Sequence, residues 1–289
     1  MELLPVYNYG SASENHHCGK ERPDLFWVGK SGGLNEKRGR EGKMQVFEYG
    51  EREVDWLKSK DKKLGAVMER LGPIRREVIP DLYISLVQQI VSQQISGKAA
   101  QTIWLRMQAA FGEITPASLH RADAREIQQC GMSMRKALYI KDVTRQVLEG
   151  ECDLPGLYEL PDDEVCARLS AFKGIGTWTA EMLMLFSMQR PDVFSWDDIA
   201  IIRGLRMLYR HRRVTRAMFE KYRKRYSPYA SVASIYLWAI AGGACPELDD
   251  PAPLSEAQKK KRAAARRKKR VEPAQGNSRR PAPLPGYAF

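Results

Sequence analysis

Between residues 54 and 241 apolar side chains recur every three or four positions, the spacing that lines one face of a helix, and polar caps punctuate the runs. Val54 to Leu71 reads as one amphipathic stretch. Asp81, behind Pro80, caps the next helix, and Ser96 caps another that runs to Phe111 and closes at Gly112. Thr115-Pro116 opens a short helix, and Ser133 caps one reaching Leu148. Pro161 and the acids Asp162 to Glu164 begin a helix whose Val165, Leu169 and Phe172 share a face. Thr177 to Met188 is apolar almost all round, which predicts a buried helix. Asp197 is read as the N-cap of a helix from Asp198 to Tyr209, and helices over Thr215–Tyr226 and Pro228–Ala241 follow. No run alternates with the period of a strand, and no internal repeat is evident. The pattern predicts an all-α core of about 200 residues in two helical lobes, long enough to enclose a hydrophobic interior.

The flanks differ from this core. Residues 1–43 are rich in Gly, Ser, Asn and charge and have little periodicity, so they are expected to form a disordered leader. Residues 44–245 form the predicted helical domain, and 246–289 a basic tail expected to be disordered. Within that tail, nine of the twelve residues from Lys259 to Arg270 are basic. The formal net charge is +12 and the pI about 9.5, which suits a polyanionic partner. The charge is uneven: residues 1–43 carry a net +1 and 246–289 a net +6, leaving +5 for the core. The core is therefore only mildly basic, and the tail reads as a salt-sensitive tether or, in a eukaryote, a nuclear address. No 18-residue apolar run and no secretory leader is found, so a membrane partner is not expected. The five cysteines, Cys18, Cys130, Cys152, Cys166 and Cys245, form no Cys-x-x-Cys pair, which argues against a zinc site or a disulfide framework. His16-His17-Cys18 holds metal-ligand chemistry on paper, but a polar leader accounts for it as well.

The chemistry-bearing stretch is Leu169-Ser-Ala-Phe-Lys-Gly-Ile-Gly-Thr-Trp-Thr-Ala180, followed by Trp196-Asp197-Asp198. Between two helices, Gly174 and Gly176 permit positive φ and close approach of another backbone, while Ile175 is expected to tuck inward. The first amides of the second helix then face outward, where the helix dipole and direct hydrogen bonds favour a phosphate. Lys173, Gly174, Ile175, Gly176 and Thr177 make up this grip, which holds backbone without reading sequence. A lone Gly-x-Gly is also an ordinary helix–helix turn. The acidic pair distinguishes this one: a carboxylate repels a polyanion, so its placement here needs a chemical reason.

Residues 169–203 resemble the helix-hairpin-helix and Gly/Pro-Asp signature of the HhH-GPD DNA glycosylase superfamily, and most of all its 3-methyladenine DNA glycosylase II branch. Three further segments agree: Asp81 to Ser96 with its Ser-Gln-Gln-Ile-Ser loop, Asp192 to Gly204 around the acidic pair, and Pro228 to Trp238. The likeness covers roughly residues 45–245. It implies that Asp198 is the catalytic aspartate, stabilising the positive charge that develops on the sugar as the base of an everted nucleotide departs. Helix capping is the plain alternative for Asp198, and the leading one for Asp197. Trp178 stands where lyase-type relatives have a lysine, and an indole cannot form a Schiff base, so the resemblance implies a monofunctional enzyme that leaves an abasic site in an unbroken strand. Trp178 and Trp238 match base-pocket positions, where electron-rich rings attract a cationic methylated purine; core packing is the alternative. Met182 stands where some relatives have an aromatic. Gln93 and Gln94 lie in the loop that in relatives enters the duplex; Gln94 is the better wedge candidate, with an interior structural amide as the alternative. Trp196 is left to packing.

With only Cys245 near the place where one branch holds four cysteines, no iron–sulfur cluster is expected. No catalytic metal is implied either, though carbonyls of Phe172 and Ile175 are candidates for a monovalent cation as in relatives. The implied partner is double-stranded DNA with a damaged base, met by a monomer. The expected location is the nucleoid-associated cytoplasm in a prokaryote or the nucleus in a eukaryote. A glycosylase for deaminated or oxidised bases, a non-catalytic damage-binding protein and an RNA-binding helical protein stay open as alternatives.

Overall fold

The computed structural model describes residues 45–252; the leader, with His16-His17-Cys18, and the basic run of the tail lie outside the described residues. Within them the chain is all-helical: α1 (Glu51–Lys60), α2 (Lys62–Leu71), α3 (Leu82–Ser92), α4 (Gly97–Phe111), α5 (Pro116–Arg121), α6 (Ala124–Gln129), α7 (Met134–Leu148), α8 (Asp162–Ser170), α9 (Thr177–Phe186), α10 (Ile199–Tyr209), α11 (Arg216–Tyr226) and α12 (Ala230–Ala241). The only extended pairing among the described residues is a bridge between Val46 and Glu77. No described helix is long and apolar enough to cross a membrane.

The expected caps at Asp81, Ser96, Thr115 and Ser133 are in place, each accepting from a backbone N–H of its helix's first turn. Three local readings change. The Val54–Leu71 stretch is two helices, because the Asp61 carboxylate accepts from the N–H groups of Lys63 and Leu64 and starts a new helix there. Asp123 and Glu126 form a reciprocal cap that opens α6, a helix the periodicity missed. Asp198, not Asp197, caps α10. Successive residues at a helix start face directions about 100° apart, so only one of the pair can turn inward; Asp197 is left exposed.

Two packing groups follow from the contacts. α3 to α7 pack among themselves, with α8 and α9 as a hairpin against α3; α1, α2, α10, α11 and α12 form the other lobe. The chain therefore leaves the second lobe after α2 and returns to it at α10. Asp61 helps to close that lobe, accepting hydrogen bonds from Tyr209 and Arg225, both at 2.6 Å, while the Tyr209 and Tyr226 hydroxyls share another at 2.5 Å. Burial pushes the Asp61 carboxyl up, but the N–H of Leu64, Tyr209 and Arg225 outweigh it and hold the group below the ordinary aspartate range.

α12 is buried along its whole length and sets the position of the acidic segment. Ser231 donates to the Arg190 carbonyl at 2.5 Å and accepts from the Val193 N–H at 2.9 Å, and Ser234 donates to the Val193 carbonyl at 3.1 Å. Gly204 lets α10 lie directly on α12: a methyl group there would stand 2.5 Å from the Leu237 carbonyl oxygen. After α12 the chain runs back along the lobe. Asp250 receives Arg206 at 2.9 and 2.6 Å, and Glu247 pairs with Arg70. The boundary expected at residue 245 thus falls too early, because residues 246–252 are bound to α10 and α2.

Candidate active site

The hairpin is built much as its residue types imply. α8 starts at Pro161 with three acids in its first turn, where the helix dipole favours them. Its partner α9 begins at Gly176, which has no side chain to cap the first-turn amides. Gly174 takes φ +87°, and a Cβ there would meet the Tyr139 ring at 2.5 Å. Gly176 differs from the expectation: its φ is −88°, in the extended region, and a Cβ on it would meet nothing within 4 Å. Its missing side chain leaves open space in front of the amides rather than relieving strain. Ile175 is buried, while Lys173, Gly174, Gly176 and Thr177 are exposed. The Lys173 ammonium lies 3.6 Å from Asp142 on α7. The Phe172 carbonyl accepts from Ile175 N–H at 3.0 Å, and the Gly174 carbonyl from the Gln93 amide at 2.6 Å.

Asp198 meets α9 from the other side. It is 1% exposed and accepts three hydrogen bonds. Oδ1 accepts from the N–H groups of Ala200 and Ile201, both at 2.8 Å, and Oδ2 accepts from the Trp178 indole N–H at 3.1 Å. The cap reading and the catalytic reading are therefore compatible: one oxygen holds the helix, and the other faces an indole twenty residues back in the chain. Burial raises the Asp198 pKa, against the opposing pull of these donors. A second indole, Trp238, is near enough to favour the charged form, yet its own N–H is buried without completing a hydrogen bond.

Met182, one turn beyond Trp178, is buried with it. Trp238 stacks on Phe186 with centroids 5.5 Å apart, and the Arg76 guanidinium lies over its ring at 5.8 Å. Trp196 packs edge-on against Phe219 with Arg216 over it, which is the packing role expected. The sequence reading missed Glu181, one turn after Trp178 on α9. Burial pushes its carboxyl up, a contact to Ser195 and the charge of Arg223 oppose that, and the negative charges of Asp197 and Asp198 add to it. Its helical register with Trp178 was the available signal. Gln93 and Gln94 stand in the loop between α3 and α4, but they part company. Gln93 reaches the hairpin, whereas Gln94 is exposed with φ +56°, a left-handed conformation uncommon for a non-glycine residue.

Residues 87–228 match the family described as HhH-GPD superfamily base excision DNA repair protein. DNA-3-methyladenine glycosylase 1 of Schizosaccharomyces pombe is 32% identical over 182 residues, which span 61% of this chain and 80% of that one. Among solved structures, the DNA-3-methyladenine glycosidase of Bacillus halodurans aligns with a TM-score of 0.65 and 36% identity, covering 71% of this chain and 95% of that one. The Schizosaccharomyces pombe 3-methyladenine DNA glycosylase in complex with abasic DNA aligns with a TM-score of 0.57 and 28% identity, covering 66% and 97%. The chain belongs to the HhH-GPD superfamily of base excision DNA repair proteins.

Proposed function

We propose that this chain is a DNA glycosylase that everts alkylated purines of the 3-methyladenine class from duplex DNA and hydrolyses their N-glycosidic bond. The relatives named for that activity support the substrate class. The observation that carries the chemistry is the Asp198 carboxylate, buried, held by three hydrogen bonds and set against the Trp178 indole. A preorganised anion in a water-poor site stabilises an oxocarbenium-like sugar without reorganising as the charge develops. The hairpin amides hold the backbone beside it, and Gln94 fills the gap left by the everted nucleotide. Trp178, with Met182 beside it, takes the stacking role; Trp238, already covered by Phe186 and Arg76, shapes the wall behind.

The reaction is read as monofunctional. Trp178 has no amine to attack the sugar, Lys173 precedes the turn and leans on Asp142, and water is left as the nucleophile. A fixed positive charge makes an alkylated purine a good leaving group that needs little acid assistance. No cofactor enters the reaction. The scattered thiols of Cys130, Cys152, Cys166 and Cys245 do not fit a four-cysteine cluster, and a monovalent cation on the Phe172 and Ile175 carbonyls would only brace the turn. The protein is read as a monomer on DNA, in the nucleoid-bearing cytoplasm or the nucleus according to its host.

The test is a panel of duplexes carrying methylated purines, hypoxanthine, ethenoadenine, uracil or 8-oxoguanine, with product strands run before and after alkali. Release of methylated purines with strand breaks only after alkali is expected. Breaks before alkali would overturn the monofunctional reading, and preferential release of uracil or 8-oxoguanine the substrate class.

A further inference from the structure

α7 touches both DNA-facing loops with side chains one turn apart. Lys136 donates to the Val91 carbonyl at 2.8 Å and the Gln93 carbonyl at 2.6 Å, at the end of α3 where the last carbonyls of a helix have no partner of their own. Three residues on, the Tyr139 ring backs Gly174 so closely that only a glycine fits. Three further on, Asp142 lies 3.6 Å from the Lys173 ammonium. The Gln93 side chain then closes the arrangement by donating to the Gly174 carbonyl at 2.6 Å. Lys136, Tyr139 and Asp142 share a helix face, so one rigid rod supports the hairpin turn and the loop that carries Gln94.

We infer that Lys136 and Gln93 are positioning residues for base extrusion, locking the Gln94 loop to the phosphate-binding hairpin so that grip and wedge act as one rigid body. Gln93 is accordingly a strut and not part of the wedge. The charge of Lys136 serves backbone carbonyls of the protein, not DNA phosphates. The reason for such a lock is geometric. The hairpin fixes where the backbone lies, and a wedge that moves independently of it enters the stack at the wrong base step. A misplacement of about 1 Å can cost on the order of a hundredfold in rate. The left-handed backbone at Gln94 fits the same account, since a strained residue persists only where its surroundings over-determine it.

The inference rests on the proposed glycosylase activity, and its test separates the two. Lys136→Met and Gln93→Leu are compared with the unaltered protein on two substrates: 7-methylguanine paired in a duplex, and the same lesion in a short unpaired bubble that needs no wedge. Single-turnover release from the duplex is expected to fall roughly ten- to hundredfold, with release from the bubble within about twofold and Lys136→Arg recovering most of the loss. The slope of log Kd against log salt for undamaged duplex stays unchanged. A slope smaller by roughly one would make Lys136 a phosphate contact and overturn the inference. Equal losses on duplex and bubble would overturn it too, by making the effect general. If Lys136→Met does not fold, Gln93→Leu gives the same duplex-to-bubble ratio. An unaltered protein inert on both substrates would count against the alkylpurine reading instead.

Discussion

Asp198→Asn removes the charge while keeping the size of the side chain. The remaining Asn oxygen can serve the Ala200 and Ile201 N–H groups or the Trp178 indole, not both, since its amide nitrogen only donates. Two effects follow. A carboxylate about 4 Å from a developing sugar cation contributes roughly 4 kcal/mol at an effective dielectric of 20, equivalent to about a thousandfold in rate. Single-turnover release should fall by that order, while affinity for abasic duplex, held through the hairpin, changes only a few-fold. Stability should move the other way with pH. The folded-state pKa of Asp198 is raised chiefly by burial, so its contribution is fully present below the unfolded pKa and lost as pH rises through the higher folded value. Melting temperatures compared from acid to neutral pH should show the variant gaining on the parent across that window. The rate of the parent should fall as pH drops through the same raised pKa. Release within tenfold of the parent, or affinity lost in step with rate, would refute the electrostatic assignment.

The hairpin glycines should behave oppositely. Gly176→Ala, with no internal neighbour to strike, should fold normally and weaken binding to every duplex alike; Gly174→Ala, aimed into Tyr139 at positive φ, should lower the melting temperature. Asp61→Asn should cost about 2 kcal/mol in denaturant unfolding at neutral pH: the remaining oxygen still caps α2, but the amide nitrogen that replaces Oδ2 cannot accept from Tyr209 and Arg225. That advantage of the parent is present above the unfolded pKa and should vanish as pH falls through the depressed folded value of Asp61. Removing residues 253–289 should flatten the salt dependence of DNA binding without stopping base release from short duplexes. Cutting at 246 should also reduce thermal stability, because the Arg206–Asp250 and Arg70–Glu247 pairs go with it.

Much of the local structure was legible because its causes are local. Caps at Asp81, Ser96, Thr115 and Ser133 need only a side-chain oxygen two or three residues before an amide. The apolar circumference of α9 announced its burial. The cap formed by Asp123 and Glu126 is equally local, a reciprocal pair three residues apart. Asp197 and Asp198 show where such reading stops. As caps they are interchangeable, and the choice between them depends on how α10 lies against α12, which Gly204 and the Leu237 carbonyl decide.

By itself, then, the amino-acid order determined the helices, the Gly-Ile-Gly turn and the residue types that bear chemistry, since each depends on neighbours within a few positions along the chain. Tertiary structure alone decided that α1 and α2 join α10 to α12, that the Trp178 indole donates to Asp198, and that Lys136 and Gln93 tie a loop to the hairpin. Those pairs lie some twenty to eighty residues apart in the chain, and hydrophobic burial, being non-directional, brings them together only when the whole core closes.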